Sequence, residues 1–195
     1  MFNNKYVKIK RQSYDIGIFG KKGCGKTILL SFIGFLKKKQ GFIVFSNYPL
    51  KYNHIIINDL KDFNKIYEYD KNVQKVFLGD DFEKWFHSRL SKSKLNVEIN
   101  DILLDWGKMN CSLIYTAKRS MAIDIGLRDS TCEFWFPELK PIINNNILYD
   151  YLNFLKIIIT RYDENLESLP QITIKGLQYL SQLYDTQQIV NPITF

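Results

Sequence analysis

The stretch Gly20-Lys21-Lys22-Gly23-Cys24-Gly25-Lys26-Thr27 combines three glycines, a lysine and a hydroxyl at a spacing suited to holding phosphate. Glycines let backbone N–H groups turn inward on phosphate oxygens, and a helix that starts at the end of the loop adds its positive N-terminal end. Lys26 is placed to reach the β- and γ-phosphates of ATP, and Thr27 to put its hydroxyl on Mg²⁺. Cys24 needs to contribute only its backbone. Lys26 reads as an exposed loop lysine that supports no core.

A second group lies 53 residues beyond Thr27, where the apolar run Val76-Phe77-Leu78-Gly79 delivers Asp80 and Asp81. Open α/β sheets place their ligands at the carboxyl ends of strands. Asp80 would hold Mg²⁺ through water, and Asp81 would orient or deprotonate the water that attacks the γ-phosphate. Alone, an apolar run ending in aspartate is as well read as a surface turn. Paired with the glycine loop, it supplies the other half of a site for ATP and Mg²⁺.

These residues need a scaffold of strands and helices. Tyr14 to Phe19 reads as a buried strand, and Thr27 to Lys38 as a helix closed by Gly41. Further strands are expected at Phe42 to Phe45, Val76 to Gly79, Ser112 to Thr116 and Glu133 to Phe136, short apolar runs of the kind a parallel sheet buries on both faces. Amphipathic stretches lie around Asp59 to Tyr69, Phe82 to Leu90 and Asn100 to Lys108. Tyr151 to Thr160 suggests an added strand and Lys175 to Leu183 a late helix. The alternation predicts a three-layer α/β/α sandwich around a mostly parallel central sheet.

With 195 residues, 46% of them hydrophobic, the chain suits one domain, residues 1–195. No apolar run approaches the roughly 20 residues of a membrane span, so a soluble intracellular protein is expected. Cys24, Cys111 and Cys132 show neither a disulfide framework nor zinc-ligand spacing, and His54 and His87 read as structural. The formal charge of +7 favours a polyanionic partner, although lysine-rich genomic bias gives the same balance.

The order of these pieces resembles the FtsK–HerA superfamily of DNA-pumping ATPases. The resemblance is strongest to its small viral members, the genome-packaging ATPases of archaeal and bacterial viruses and the Zot-like morphogenesis proteins of filamentous phages. It is carried by Gly20 to Thr27, by Ser46-Asn47-Tyr48-Pro49-Leu50, and by Gly79-Asp80-Asp81 with Trp85 and Arg89. Leu113 to Arg119, continuing to Asp124-Ile125-Gly126-Leu127-Arg128, carries it further, and Tyr184-Asp185-Thr186 echoes it weakly. The resemblance implies a P-loop NTPase fold of RecA-like/ASCE type. It implies ATP hydrolysis coupled to movement of double-stranded DNA, and a homo-oligomeric ring, hexamer or pentamer, in the host cytoplasm or associated with the virion. A capsid or portal-vertex partner follows from the packaging branch.

Two departures from that family matter. Asp81 stands where the family has glutamate, a carboxylate one methylene longer, so hydrolysis is expected to be slow. Lys118 stands where the family has a glutamine that senses the γ-phosphate. As a cation it can meet a phosphate oxygen but cannot orient water as an amide does, and a solvated loop lysine is the other reading. Arg128 is implied as a finger that reaches the neighbouring subunit's γ-phosphate. Arg119 competes for that role, and a salt bridge to Asp124 or Asp129 is the alternative for Arg128.

Lys37-Lys38-Lys39 is explained by the helix dipole, Arg89 to Lys94 reads as a basic loop able to track a phosphate backbone, and Trp85 and Phe86 read as core or subunit-contact residues. Besides a packaging motor, three readings remain open: a Zot-like assembly or export ATPase, a small P-loop nucleotide kinase, and a non-catalytic nucleotide switch or virion structural protein.

Overall fold

The apolar runs become the inner strands of one eight-stranded sheet. The computed structural model describes residues 13–59, 61–85, 94–141 and 155–183. In chain order the strands are β1 (Ile16–Phe19), β2 (Ile43–Ser46), β3 (Ile55–Ile56), β4 (Lys75–Gly79), β5 (Cys111–Ala117), β6 (Glu133–Pro141), β7 (Leu155–Asp163) and β8 (Ser168–Ile174). They lie side by side as β3-β2-β4-β5-β1-β6-β7-β8. The pairings from β3 across to β6 are parallel, and β6-β7-β8 is an antiparallel extension. The strand of the glycine loop and the strand of the aspartate pair are therefore separated by β5.

Successive residues of a strand face opposite sides of its sheet, and here the two sides differ in chemistry. Phe19, Phe45, Phe77 and Tyr115 point into an aromatic layer with Phe63, Phe82, Trp85 and Trp106. Their neighbours Ile18, Val44, Val76, Leu78 and Ile114 point into an aliphatic layer. Helix α1 (Lys26–Lys39) covers the aliphatic side with Leu29, Leu30 and Ile33. Helix α2 (Lys94–Lys108) covers the aromatic side, with Trp106 edge-on to Phe63 and Phe77. Helix on sheet on helix is the expected three-layer α/β/α P-loop sandwich with its mostly parallel sheet.

Some boundaries differ from the sequence reading. The Asp59 to Tyr69 stretch forms only a 3₁₀ segment, Lys61–Ile66, which buries Phe63 and Ile66. Asn100 to Lys108 is the second part of α2, and Glu133 to Phe136 is the start of a strand that continues to Pro141. The continuation exists because β7 pairs along all of β6, a partnership separated in sequence. The late helix is a single turn, α4 (Leu177–Leu180), followed by a 3₁₀ turn. Strand β8, half exposed at the edge, carries too little apolar signal to announce itself. Phe86, His87, Arg89 and most of the basic loop, residues 151–154 of the added strand, and Tyr184 to Thr186 lie outside the described residues.

Candidate functional site

Strand β1 ends at Phe19, and the chain is held there by the Gly20 N–H, which donates to the Ala117 carbonyl of β5 at 3.3 Å. The loop then turns through Gly23 (φ 84°) and Gly25 (φ 94°), both in the left-handed region that favours glycine. At Gly25 a Cβ would also come within 3.3 Å of Ile157 and 3.4 Å of Leu139. Helix α1 begins at Lys26 with no side-chain cap, so its first N–H groups remain directed at the loop.

Contrary to the sequence expectation, Lys26 is buried, with only 8% of its surface exposed. Its Nζ donates to the Gly20 carbonyl at 2.7 Å and the Lys21 carbonyl at 3.1 Å. The loop wraps around its own lysine because an ammonium taken from water needs acceptors. Lys21 and Lys22 are exposed. The Cys24 N–H donates to the Lys21 carbonyl, and the thiol is free.

Asp80 faces the loop from the end of β4. Thr27 Oγ1 lies 3.1 Å from both of its carboxylate oxygens. The Thr116 hydroxyl, at the end of β5, donates to Asp80 Oδ1 at 2.6 Å and accepts from the Asp81 N–H at 2.9 Å. Asn47, just past β2, grips the Asp80 peptide from both sides. Its amide donates to the Asp80 carbonyl at 2.9 Å, and its Oδ1 accepts from the Asp80 N–H at 2.7 Å. Burial raises the pKa of Asp80, the Asp81 charge adds to the shift, and the two hydroxyls oppose it.

Asp81 adopts φ 45°, ψ 44°, an uncommon conformation for a residue with a side chain. Its carboxylate is paired with Lys84 at 2.9 Å, both side chains about one-third exposed. The cleft between loop and aspartates, about 420 Å³, is lined by Gly23, Gly25, Lys26, Thr27, Asp80, Asp81, Lys84 and Lys118 among others. Hard oxygen donors, a hydroxyl and a carboxylate in contact, fit Mg²⁺, which binds through one or two carboxylates plus substrate phosphates.

The structure thus brings together Lys22, Gly23, Gly25, Lys26 and Thr27 of the glycine loop with Asp80, Asp81 and Lys118, whereas Gly20, Lys21 and Cys24 do not line the cleft. Arg128 is elsewhere: it sits on α3 (Ile125–Ser130), its Nη1 3.0 Å from Met121 Sδ, and it does not line the cleft. Asp124 caps that helix, accepting from the Gly126 N–H at 2.9 Å. Arg119 is exposed at the end of β5. Trp85 is core, as expected, and His54 is structural, bridging the Leu50 N–H and the Tyr52 carbonyl.

Sequence reasoning gave no role to Asn47, Thr116, Glu83 or Lys84. The Asp81 to Lys84 spacing is a helical ion-pair signal that was available. The other three become visible only when strand ends meet.

No protein-family model and no curated protein sequence matches the chain. Solved structures do. The N-terminal domain of zonular occludens toxin from Neisseria meningitidis superposes with a TM-score of 0.57 at 16% identity, covering 89% of this chain and 99% of that one. The genome-packaging NTPase B204 of Sulfolobus turreted icosahedral virus 2, in complex with ATP-gammaS, gives 0.55 at 12% identity, covering 85% and 98%. The flagellar accessory protein FlaH of Methanocaldococcus jannaschii gives 0.50 at 13%, covering 85% of each chain. The fold is that of this group of P-loop NTPases.

Proposed function

We propose that this chain is an Mg²⁺-dependent ATP hydrolase that drives double-stranded DNA through a homo-oligomeric ring, in a viral or proviral packaging role. The observation that carries the nucleotide part is the contact of the Thr27 hydroxyl with both Asp80 oxygens at 3.1 Å, opposite a buried Lys26. Separate segments of the chain converge there on the donors that a nucleotide–metal complex needs. Support for the DNA part comes from the likeness to a packaging NTPase and the surplus of basic residues.

In this reading the loop N–H groups and Lys26 bind the β- and γ-phosphates, exchanging the Lys26 contacts to loop carbonyls for phosphate oxygens. Thr27 and Asp80 hold Mg²⁺, which neutralises charge on the transferring phosphoryl group. Thr116 and Asn47 fix Asp80 and the Asp81 peptide. Asp81 positions or deprotonates water once Lys84 yields it, and Lys118 meets the γ-phosphate from β5. Arg128, outside its own cleft, acts on a neighbouring subunit.

The test is steady-state ATP hydrolysis with and without double-stranded DNA, on protein of measured oligomeric state. DNA-stimulated hydrolysis by a ring supports the motor, and nucleotide binding without turnover supports a switch. Phosphate transfer to a nucleotide acceptor supports a kinase. Asp81→Asn should keep Mg-ATP binding and lose ~10²-fold or more in turnover. Mixing inactive Lys26→Ala with Arg128→Ala should restore part of the activity if Arg128 acts in trans. The likeness to the zonular occludens toxin domain favours one other reading, a virion assembly or export ATPase, for which DNA would not stimulate turnover.

A further inference from the structure

Strand β2 ends at Ser46, and the chain beyond it turns out of the sheet. The Asn47 N–H still follows the ladder, donating to the Leu78 carbonyl of β4 at 3.2 Å. Tyr48 then enters the aliphatic layer, its hydroxyl 3.0 Å from Ser31 Oγ on α1, and Pro49 has no N–H to give a ladder. The buried Asn47 side chain takes over where the strand departs. Its Oδ1 accepts from the Asp80 N–H at 2.7 Å, and its Nδ2 donates to the Asp80 carbonyl at 2.9 Å. A carboxamide can do this because it carries an acceptor and a donor side by side, as a peptide does.

The Asp80 carbonyl belongs to the peptide that joins Asp80 to Asp81. Asn47 holds that peptide by its oxygen, and the Thr116 hydroxyl holds it by its N–H at 2.9 Å. One peptide unit is thus tied to both strands that flank β4, β2 on one side and β5 on the other. The residue that follows, Asp81, lies at φ 45°, ψ 44°, the left-handed region where a side chain crowds its own backbone. Rotating the Asp80–Asp81 peptide would carry φ of Asp81 out of that region. Conformations of this kind persist where the surroundings over-determine them, and they cluster at sites of chemistry.

We propose that Asn47 is a positioning residue for Asp81: together with Thr116 it locks the Asp80–Asp81 peptide, and the lock keeps Asp81 in the left-handed conformation that presents its carboxylate to the cleft. This rests on the proposed hydrolytic site and assigns the Ser46-Asn47-Tyr48-Pro49-Leu50 segment a part in it. The Asp80 carboxylate has its own ties to Thr27 and Thr116, so Asn47 acts on the water-directing carboxylate rather than on the metal-holding one.

The experiment compares the full chain with Asn47→Leu, Asp81→Asn and the double variant. Asn47→Leu keeps the size of the side chain and removes both bonds. In nucleotide-free protein it should speed amide exchange at Asp80 and Asp81 and leave Val76 to Leu78 of β4 as they are. Turnover should fall roughly ten- to a hundredfold while Mg²⁺-dependent affinity for AMPPCP stays within about twofold, the mark of an interaction that serves the chemical step. In the Asp81→Asn background Asn47→Leu should cost no further turnover. If Asn47 is merely structural, exchange quickens along all of β4, affinity falls with turnover, or the loss persists without the Asp81 carboxylate, and any of these overturns the proposal. Should Asn47→Leu not fold, Asn47→Asp, which keeps the acceptor for the Asp80 N–H but sets an oxygen against the Asp80 carbonyl, must give the same split between turnover and affinity; an equal loss of both overturns the proposal. Full turnover in Asp81→Asn would sink the role of Asp81 and this proposal with it, whereas full turnover in Asn47→Leu alone overturns only the lock.

Discussion

Where β6 begins, Glu133 is ringed by donors, whereas where β4 ends, Asp80 and Glu83 are buried with far fewer. The Glu133 carboxylate accepts from the Tyr14 hydroxyl, from Trp135 Nε1 at 2.5 Å, and from Arg161 through Nε at 2.9 Å and Nη2 at 2.6 Å. The Arg161 guanidinium also lies over the Trp135 ring. Lys75, at the same end of the sheet, donates to the carbonyls of Asp70, Val73 and Met109 at 2.7–3.0 Å, using every proton of its ammonium. At the cleft, Asp80 has two hydroxyls, and the Glu83 carboxylate has no hydrogen-bond partner among the described residues. Charges met by fixed partners hold the sheet together. Charges left short of partners are complete only when something else arrives.

The contrast is broken most severely by Arg161→Ala, which strands Glu133 in the interior. Loss of one partner from a buried ion pair costs about 3–5 kcal/mol, and urea denaturation should show a fall of that order with nucleotide affinity unaltered. A loss below ~1 kcal/mol, the range of exposed pairs, would mean that Glu133 is no better held than a surface group.

At the cleft the reverse is expected. Lys26→Ala should reduce hydrolysis by ~10²–10³-fold, the effect of removing one preorganised charge donor, while the folded core persists. Because Lys26 is bonded to two loop carbonyls, the loop itself should loosen, giving faster amide exchange from Gly20 to Gly25. Wild-type turnover in this variant would end the phosphate-loop reading.

Asp80→Asn sharpens the comparison by giving opposite signs in two assays. The neutral side chain escapes the burial that raises the Asp80 pKa, so the nucleotide-free protein should become more stable near neutral pH. Mg²⁺-dependent nucleotide binding should fall by roughly tenfold or more. Stability and affinity falling together would show that Asp80 is structural in the way Glu133 is.

The smallest effect concerns Asp15, an intermediate case. One carboxylate oxygen accepts from the Leu113 N–H at 2.8 Å, and burial pushes the pKa up to about 6. A carboxyl with a folded pKa above its unfolded value contributes stability that is present at low pH and is lost as pH rises through the folded value. Between pH 7 and pH 5 this one group should add about 1 kcal/mol to stability. Asp15→Asn should remove that share of the pH dependence, as read from urea midpoints at the two pH values. An unchanged pH profile would assign the dependence to Asp80 and Glu83.

Much of this was legible in the chain. The inner strands announce themselves because each is buried on both faces and must be apolar throughout, as Val76-Phe77-Leu78 is. The glycine loop announces itself because left-handed turns and close approach exclude most other residues. β8 and the 3₁₀ segment at Lys61–Ile66 were not legible, since half-exposed edges and short turns carry mixed patterns. The burial of Lys26 was missed because the type of a residue says nothing about which carbonyls the loop will fold over it.

The sequence by itself determined the layered α/β/α fold, the phosphate loop and the strand that brings Asp80, because these depend on local backbone freedom and on periodicity. Only the tertiary structure decided that Asn47, Thr116 and Thr27 would meet at Asp80, that Glu83 would be buried, and that Arg128 would stand away from its own cleft. Those outcomes depend on which strand ends become neighbours. In a sheet ordered β3-β2-β4-β5-β1-β6-β7-β8, the pairings β2-β4, β5-β1 and β1-β6 join strands that are not consecutive in sequence.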